Sequence, residues 1–392
     1  MVLDGRGESQ TPEVSRWDEF RSHMPIASKW AYLDHAAVSP LPYPTCLVIQ
    51  DWLRQAAEEA GTVWSHWVTQ VERTREAVAT VLNADVDEVA LVANTTSGIH
   101  LVAEGFPWQS GDNVVTLADE FPSNLYPWMQ LAERGVETRR VAVSSPGSVL
   151  DEIQQACDAR TRLVAISWVN FQTGWRLDLD SLVQMAHGQG ILVFVDAIQG
   201  LGLFPVDVQK TPVDFLAADG HKWLLGPEGA GVFYMRREHL DRLRPVGIGW
   251  NSVVHRYDFS QIALHLRPAA SRYEGGSLNM AGFLALGTSV RLLQAFGLTH
   301  RVSPLAEQVL RINRQCQDEL RRQGAIVLER PQTHASGILL FQLPGHDPQA
   351  IRHRCWKAGV VVNCRGGAVR ISPHAYVNQG DLDRLFAAVG AA

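Results

Sequence analysis

What the 392 residues lack narrows the possibilities first. No apolar run is long enough to span a bilayer. The longest candidate, GILVFVDAIQGLGLF, is interrupted by Asp196, Gln199 and several glycines. The opening MVLDGRGESQ has no basic-then-apolar pattern of a secretory signal. A cytoplasmic location, with no membrane partner, is therefore expected. There is no excess of basic charge either: the formal net charge is −6, with both signs scattered, so no nucleic-acid partner is expected. The five cysteines, Cys46, Cys157, Cys316, Cys355 and Cys364, are odd in number and widely spaced. Without a CxxC they form neither a disulfide framework nor a zinc site, and no metal is expected. No internal repeat or low-complexity tract is present. Hydrophobic residues at 46% and charged residues at 19% describe an ordinary globular chain. At this length two domains are the natural expectation.

What is present is an alternation. Short, nearly continuous apolar runs occur at VALVA (89–93), NVVTL (113–117), RLVAIS (162–167), ILVFVD (191–196), DFLAA (214–218) and AGVFYM (230–235), with a weaker one at TRRVAV (138–143). Such runs suit strands buried on both faces. Helical stretches lie between them, such as 123–135 and 179–190, each ending in a glycine suited to a C-terminal cap (Gly135, Gly190). The pattern predicts an α/β fold, a mostly parallel sheet with helices on both faces. After about residue 265 it changes. Two long helices (278–296, 303–324) precede GAIVLE, SGILLFQL, GVVVNC and AVRIS, with a helix at RHRCWKAG. A smaller α+β domain is expected there. Residues 1–30 read as an arm packing on that small domain, 31–264 as the large domain and 265–392 as the small one.

Three local features carry chemistry. In ADGHKWLLGPEGAGVFYM (218–235), Lys222 follows a strand, beside His221, and lies between apolar runs. Most lysines are solvated surface charges. A charge held here is costly, so the amine either loses its proton or forms a covalent bond. Both suit a Schiff base. In VDAIQGLG (195–202), Asp196 ends a strand, where α/β proteins bind ligands. It has a bland reading as a helix cap. It also suits an acid set against the nitrogen of a pyridoxal phosphate (PLP) ring. Gln199, three residues on, is in reach of the ring hydroxyl. In VANTTSGIHLVAEGF (92–106), a strand leads through Asn-Thr-Thr-Ser-Gly into a helix, either an ordinary N-cap or an anion cradle.

Together and in this order, these pieces resemble the class V aminotransferase family of PLP enzymes. That family includes cysteine desulfurases, selenocysteine lyases, kynureninases and isopenicillin N epimerase-like proteins. The resemblance runs through WAYLDHAAVSPLP (30–42), NTTSGIH, DEFPSN, WVNFQTG, VDAIQG, GHKWLLGPEG, EGGSLN and VRISPHAYV. It implies fold type I, a large domain with a mostly parallel seven-stranded sheet and a smaller C-terminal α+β domain. It implies PLP as cofactor, an amino-acid substrate bound through an external aldimine, and a homodimer with shared sites.

The resemblance also implies roles. Thr95 and Thr96 bind the cofactor phosphate, with His221 as a further donor. Phe121 stacks on the ring. Asn170 bonds the ring oxygen or the substrate carboxylate. Asp196 pairs with the ring nitrogen and Gln199 with the hydroxyl. Lys222 forms the Schiff base and moves the α-proton. Ser277 reaches the phosphate of the neighbouring subunit, and Arg370 clamps the substrate carboxylate.

An aminotransferase or lyase is the reading that follows, with a cysteine desulfurase or selenocysteine lyase using Cys364, or an amino-acid epimerase, as the alternatives. A desulfurase needs a nucleophilic cysteine on a mobile loop ahead of the arginine. Here GVVVNCRGGAVR (359–370) is compact, and both Cys364 and Cys355 read as structural thiols. Asp219 stands where desulfurases often have serine. Trp250 is similar to an aromatic near the cofactor in kynureninases, and equally suits core packing. Two rivals from other classes are a PLP-fold binding protein without turnover and a dinucleotide enzyme. Retention of Lys222, Asp196 and Arg370 disfavours the first; the lack of GxGxxG after the first strand disfavours the second.

Overall fold

The computed structural model describes residues 15–143, 146–260 and 262–390, without the side chain of residue 146. Of the arm expected over 1–30, residues 1–14 lie outside the described residues. Seven strands form the central sheet: β1 (Val89–Val92), β2 (Asn113–Leu117), β3 (Glu137–Val141), β4 (Thr161–Ser167), β5 (Leu192–Asp196), β6 (Phe215–Asp219) and β7 (Gly231–Met235). Their order is β1-β7-β6-β5-β4-β2-β3. All neighbours are parallel except β7, which runs antiparallel to both β1 and β6.

The near-continuous apolar strands arise because both faces are covered. Val193, Val195, Leu216 and Ala218 point into one core cluster; Phe194, Phe215 and Ala217 point into the other. Helices α1 (Tyr43–Glu58), α2 (Trp64–Leu82) and α4 (Met280–Ala295) pack on one another, with α2 against β1. Helix α3 (Thr95–Gly105) covers β6 and β7 on the opposite face. Gly98 permits that approach, since a Cβ there would lie 2.6 Å from the Cβ of Ala217.

Helix α4 thus returns the chain to the large sheet's helical layer before the second sheet begins. That sheet is antiparallel, in the order Asn363–Arg365, Ala368–Ile371, Leu339–Gln342, Ile326–Val327. The stretch expected as one helix at 123–135 is instead a 3₁₀ turn, a five-residue helix and a second 3₁₀ turn. Pro122 and Pro127 each occupy the first turn of their element, where proline starts a helix but cannot continue one. Gly135 and Gly190 both take the left-handed conformation expected of caps.

The segment entering the large domain is tied to the second sheet. Ala31–Tyr32 pairs in parallel with Val360–Val361, and Asp34 bridges Ser372. The described part of the arm docks on C-terminal residues. Phe20 stacks near His374 and Tyr376, and Arg21 pairs with Asp381 at 2.5 Å.

Candidate active site

The C-terminal ends of β5 and β6, the start of α3 and strand Ala368–Ile371 converge on one cavity of about 370 Å³. Thr95, Thr96, Phe121, Asp196, Gln199, His221, Lys222 and Arg370 all line it. This is the crevice where open α/β sheets bind ligands.

The chain has four lysines, and Lys222 alone is buried, at 9% exposure. Its main chain is clamped. The Ser39 hydroxyl donates to the Lys222 carbonyl, which also accepts the Leu225 N–H at 3.0 Å. Leu225 has φ +56°, a strained conformation for a branched residue, and its carbonyl is held by Ser289 at 2.7 Å. Burial pushes the Lys222 amine down to about 8; Asp196 opposes this, and the Arg370 charge adds to it. The amine is therefore poised to be neutral and nucleophilic.

Asp196, the last residue of β5, is 3% exposed. One oxygen accepts the Ile198 N–H at 3.0 Å, a turn bond rather than a helix cap, since no helix begins between β5 and β6. Burial pushes the acid up to about 6, against that bond and the Lys222 charge. Gln199 is partly committed: its Nε2 donates to the Ala36 carbonyl and its Oε1 accepts from Trp223, both at 3.0 Å. One Nε2 hydrogen remains.

The cap of α3 is Asn94, whose side chain accepts the Ser97 N–H at 2.8 Å. The amides of Thr95 and Thr96, at the first turn, have no intrahelical acceptor, and both residues line the cavity. The Thr95 hydroxyl accepts the Asp219 N–H at 2.9 Å, tying the helix start to the end of β6. His221 Nδ1 lies 3.1 Å from Asp219.

Arg370 is 1% exposed rather than a surface cation. Nη2 meets Asp34 at 3.2 Å, Nη1 donates to the Phe171 carbonyl at 2.8 Å, and Nε has no partner among the described residues. Asp34 is held in turn by Asn363 at 2.8 Å. Phe121, 42% exposed, places its ring 5.7 Å from Lys222 Nζ and edge-on to Phe171.

This donor set fits a phosphorylated pyridine aldehyde. Anion-binding amides, a buried acid, a poised amine, an open aromatic face and a guanidinium with an unpaired N–H surround one chamber.

Two of the expected residues lie elsewhere. Asn170 lines a neighbouring cavity, donating to Asp119 at 2.9 Å and accepting the Gln172 and Thr173 N–H groups. Ser277 is exposed and shares a small cavity with Trp250 and Tyr257. Cys364 does not line the active cavity; its thiol donates to the Pro348 carbonyl at 3.2 Å and is raised by burial. Cys355 is fully buried and pushed up to about 11. Sequence reasoning overlooked Asp34, Arg365 and Glu120, although Asp34 and Glu120 stand within motifs already singled out. Asp34 and Glu120 owe their burial and bonds to distant segments, whereas Arg365 is exposed and bonds its neighbours Asn363 and Cys364.

The chain belongs to the class-V aminotransferase family, whose model matches residues 31–385. It is a PLP-dependent enzyme. A probable cysteine desulfurase of Methanothermobacter thermautotrophicus is 28% identical, over 94% of this chain and 96% of its own. A cysteine desulfurase of Klebsiella pneumoniae is 31% identical, over 91% and 88%. Among solved structures, a cysteine desulfurase of Thermococcus onnurineus superposes with a TM-score of 0.84 at 23% identity, covering 95% and 97%. The cystine C-S lyase C-DES, solved with its product cysteine persulfide, gives 0.86 at 20%, covering 94% and 99%. These structural likenesses show the fold: a type I PLP-enzyme fold with a mostly parallel seven-stranded sheet. No helix among the described residues is long and apolar enough to cross a membrane.

Proposed function

We propose that this enzyme removes the α-proton of an amino acid and acts as a lyase or aminotransferase. The observation that carries this is the single chamber shared by Lys222, Asp196 and Arg370. Pyridoxal phosphate, when bound, supplies the electron sink for the bond that breaks.

The chain's own residues do the rest. The α3 amides with Thr95, Thr96 and His221 hold the phosphate. Phe121 stacks on the ring, Asp196 accepts from its nitrogen, and the free Gln199 hydrogen meets its oxygen. Arg370, oriented by Asp34 and the Phe171 carbonyl, takes the substrate carboxylate. Lys222 accepts and returns the α-proton, its lowered basicity matching neutral pH. Asn170, engaged by Asp119, Gln172 and Thr173 outside the chamber lining, is given no role in this reading.

A second copy of the chain completes the site in this reading. Ser277 and Trp250 are exposed, and Val254, Tyr257, Phe259, Ile262 and Leu264 form an uncovered apolar stretch beside them. A homodimer would cover that surface and bring Ser277 to the partner's phosphate. The division into an arm (1–30), a large domain (31–264) and a small domain (265–392) belongs to the same proposal, with α4 bridging the last two. So does a cytoplasmic location.

The second reading is a cysteine desulfurase using Cys364, favoured by the names of the relatives. Against it stands the thiol's bond to Pro348 and its place outside the cavity lining. Incubation with a panel of amino acids, scored for sulfide, alanine, anthranilate and keto acids, tests both. Alanine and sulfide lost on Cys364→Ala would support the desulfurase. Products indifferent to that change support the lyase or aminotransferase. No product from any amino acid would overturn both.

A further inference from the structure

A second buried acid lies behind Asp196. Glu120, three residues beyond β2, is 5% exposed. Its Oε1 accepts the Ser167 N–H at 2.6 Å, and its Oε2 meets the Ser167 hydroxyl. Ser167 ends β4 and pairs in register with Asp196. The two carboxyls thus flank neighbouring strand ends in a low-dielectric interior. Among the described residues, no cation lies within ion-pairing distance of either. Two such groups do not both ionise cheaply. Burial first, then the Asp196 charge, push Glu120 up to about 7, against its bonds to Ser167.

The two acids face different chambers. Asp196 lines the active cavity. Glu120 lines a separate cavity of about 210 Å³, with Ser167, Asn170, Trp175 and Arg330. Besides Glu120, the charged groups around that cavity are Asp119, Glu329 and Arg330. Arg330 Nη1 is committed to the carbonyls of Gly174 and Ile338, and Lys222 acts on the pair through Asp196.

We propose that Glu120 is a positioning residue for Asp196 and the proton store of a buried carboxyl pair. It is neutral while the active cavity is empty, and loses its proton to water in the second cavity when a cation is set against Asp196. No other bond changes: the carboxylic acid becomes a carboxylate and the water takes the proton. The pair then presents a stronger negative field to the ring nitrogen than Asp196 does alone. This rests on the assignment of Asp196 to that nitrogen.

The test is titration of pyridoxal phosphate into the cofactor-free full chain, followed by absorbance and by calorimetry in buffers of different ionisation heat. At about pH 6.5 the wild type should release up to about one more proton per site than Glu120→Gln. The ratio of wild-type to variant affinity should rise by up to about tenfold per pH unit below 7 and flatten above it. Equal proton release, with a ratio flat from pH 6 to 8, would overturn the proposal. Ser167→Ala guards against a variant that fails to fold. Losing a bond to the carboxylate, it should move the release step to higher pH; an unmoved step would also overturn the proposal. Failure of the cofactor to bind any of these proteins would instead sink the cofactor reading itself.

Discussion

Replacing Asp196 with asparagine should stabilise the cofactor-free protein while crippling the enzyme. The acid is pushed from 3.8 to about 6 by burial. About two pKa units correspond to about 3 kcal/mol of destabilisation once the carboxylate is ionised. Because the folded-state value lies above the unfolded one, folding takes up a proton. Wild-type stability therefore falls as pH rises from about 4 to about 6, and the full penalty persists above that. Asparagine removes the charge and keeps the acceptor for Ile198. Its new amide donor has no assured partner, which costs about 1–2 kcal/mol. The net gain should be about 1–2 kcal/mol at pH 7.5, vanishing or reversing below about pH 4. Urea denaturation of both cofactor-free proteins at acid and neutral pH measures this. Turnover of the loaded variant should drop by at least about 10²-fold. A variant less stable than wild type at pH 7.5, or a stability difference independent of pH, would refute the reasoning.

Arg370→Lys should raise KM by roughly 10–100-fold with a smaller change in kcat, since a point charge replaces a fork already oriented by Asp34 and Phe171; steady-state kinetics checks this. Gly98→Ala drives a Cβ into Ala217 and should cost about 1–3 kcal/mol while weakening cofactor binding through the displaced α3 amides. Gly61→Ala, whose Cβ would meet nothing within 4 Å, is the control and should leave both within error. Capture of pyridoxal phosphate by the cofactor-free chain should speed up as pH rises and level off near 8, because Lys222 must be deprotonated to attack and is pushed down to about 8. Stopped-flow absorbance distinguishes this from an ordinary lysine, whose rate would keep climbing to about pH 10.

Six of the seven central strands were legible because burial on both faces writes itself as short, uninterrupted apolar runs; the edge strand Glu137–Val141, partly exposed and carrying Arg139 and Arg140, left a weaker trace. Helices α1 and α2 were not picked out: Trp52, Trp64 and Trp67 are spread among polar residues, and their face emerges only against α4. The site divides the same way. Lys222, Asp196, Thr95 and Thr96 sit at strand and helix ends, so their convergence follows from the order of elements. The partners of Arg370 do not. Asp34 is more than 300 residues away in sequence, and the Phe171 carbonyl is a backbone group that leaves no mark on composition. Glu120 escaped because its environment is built by Ser167 and Asp196 from two other strands. Asn170 shows the converse: a motif residue whose amide is engaged by Asp119, 51 residues away, a bond the sequence does not display.

The central claim concerns one amine. Borohydride treatment of the protein loaded with pyridoxal phosphate, followed by proteolysis and peptide mass spectrometry, addresses it directly. A single reduced adduct on the peptide carrying Lys222, absent from Lys222→Ala, is the expected result. An adduct on Lys29, Lys210 or Lys357 with Lys222 unmodified, or no adduct at all, would contradict it.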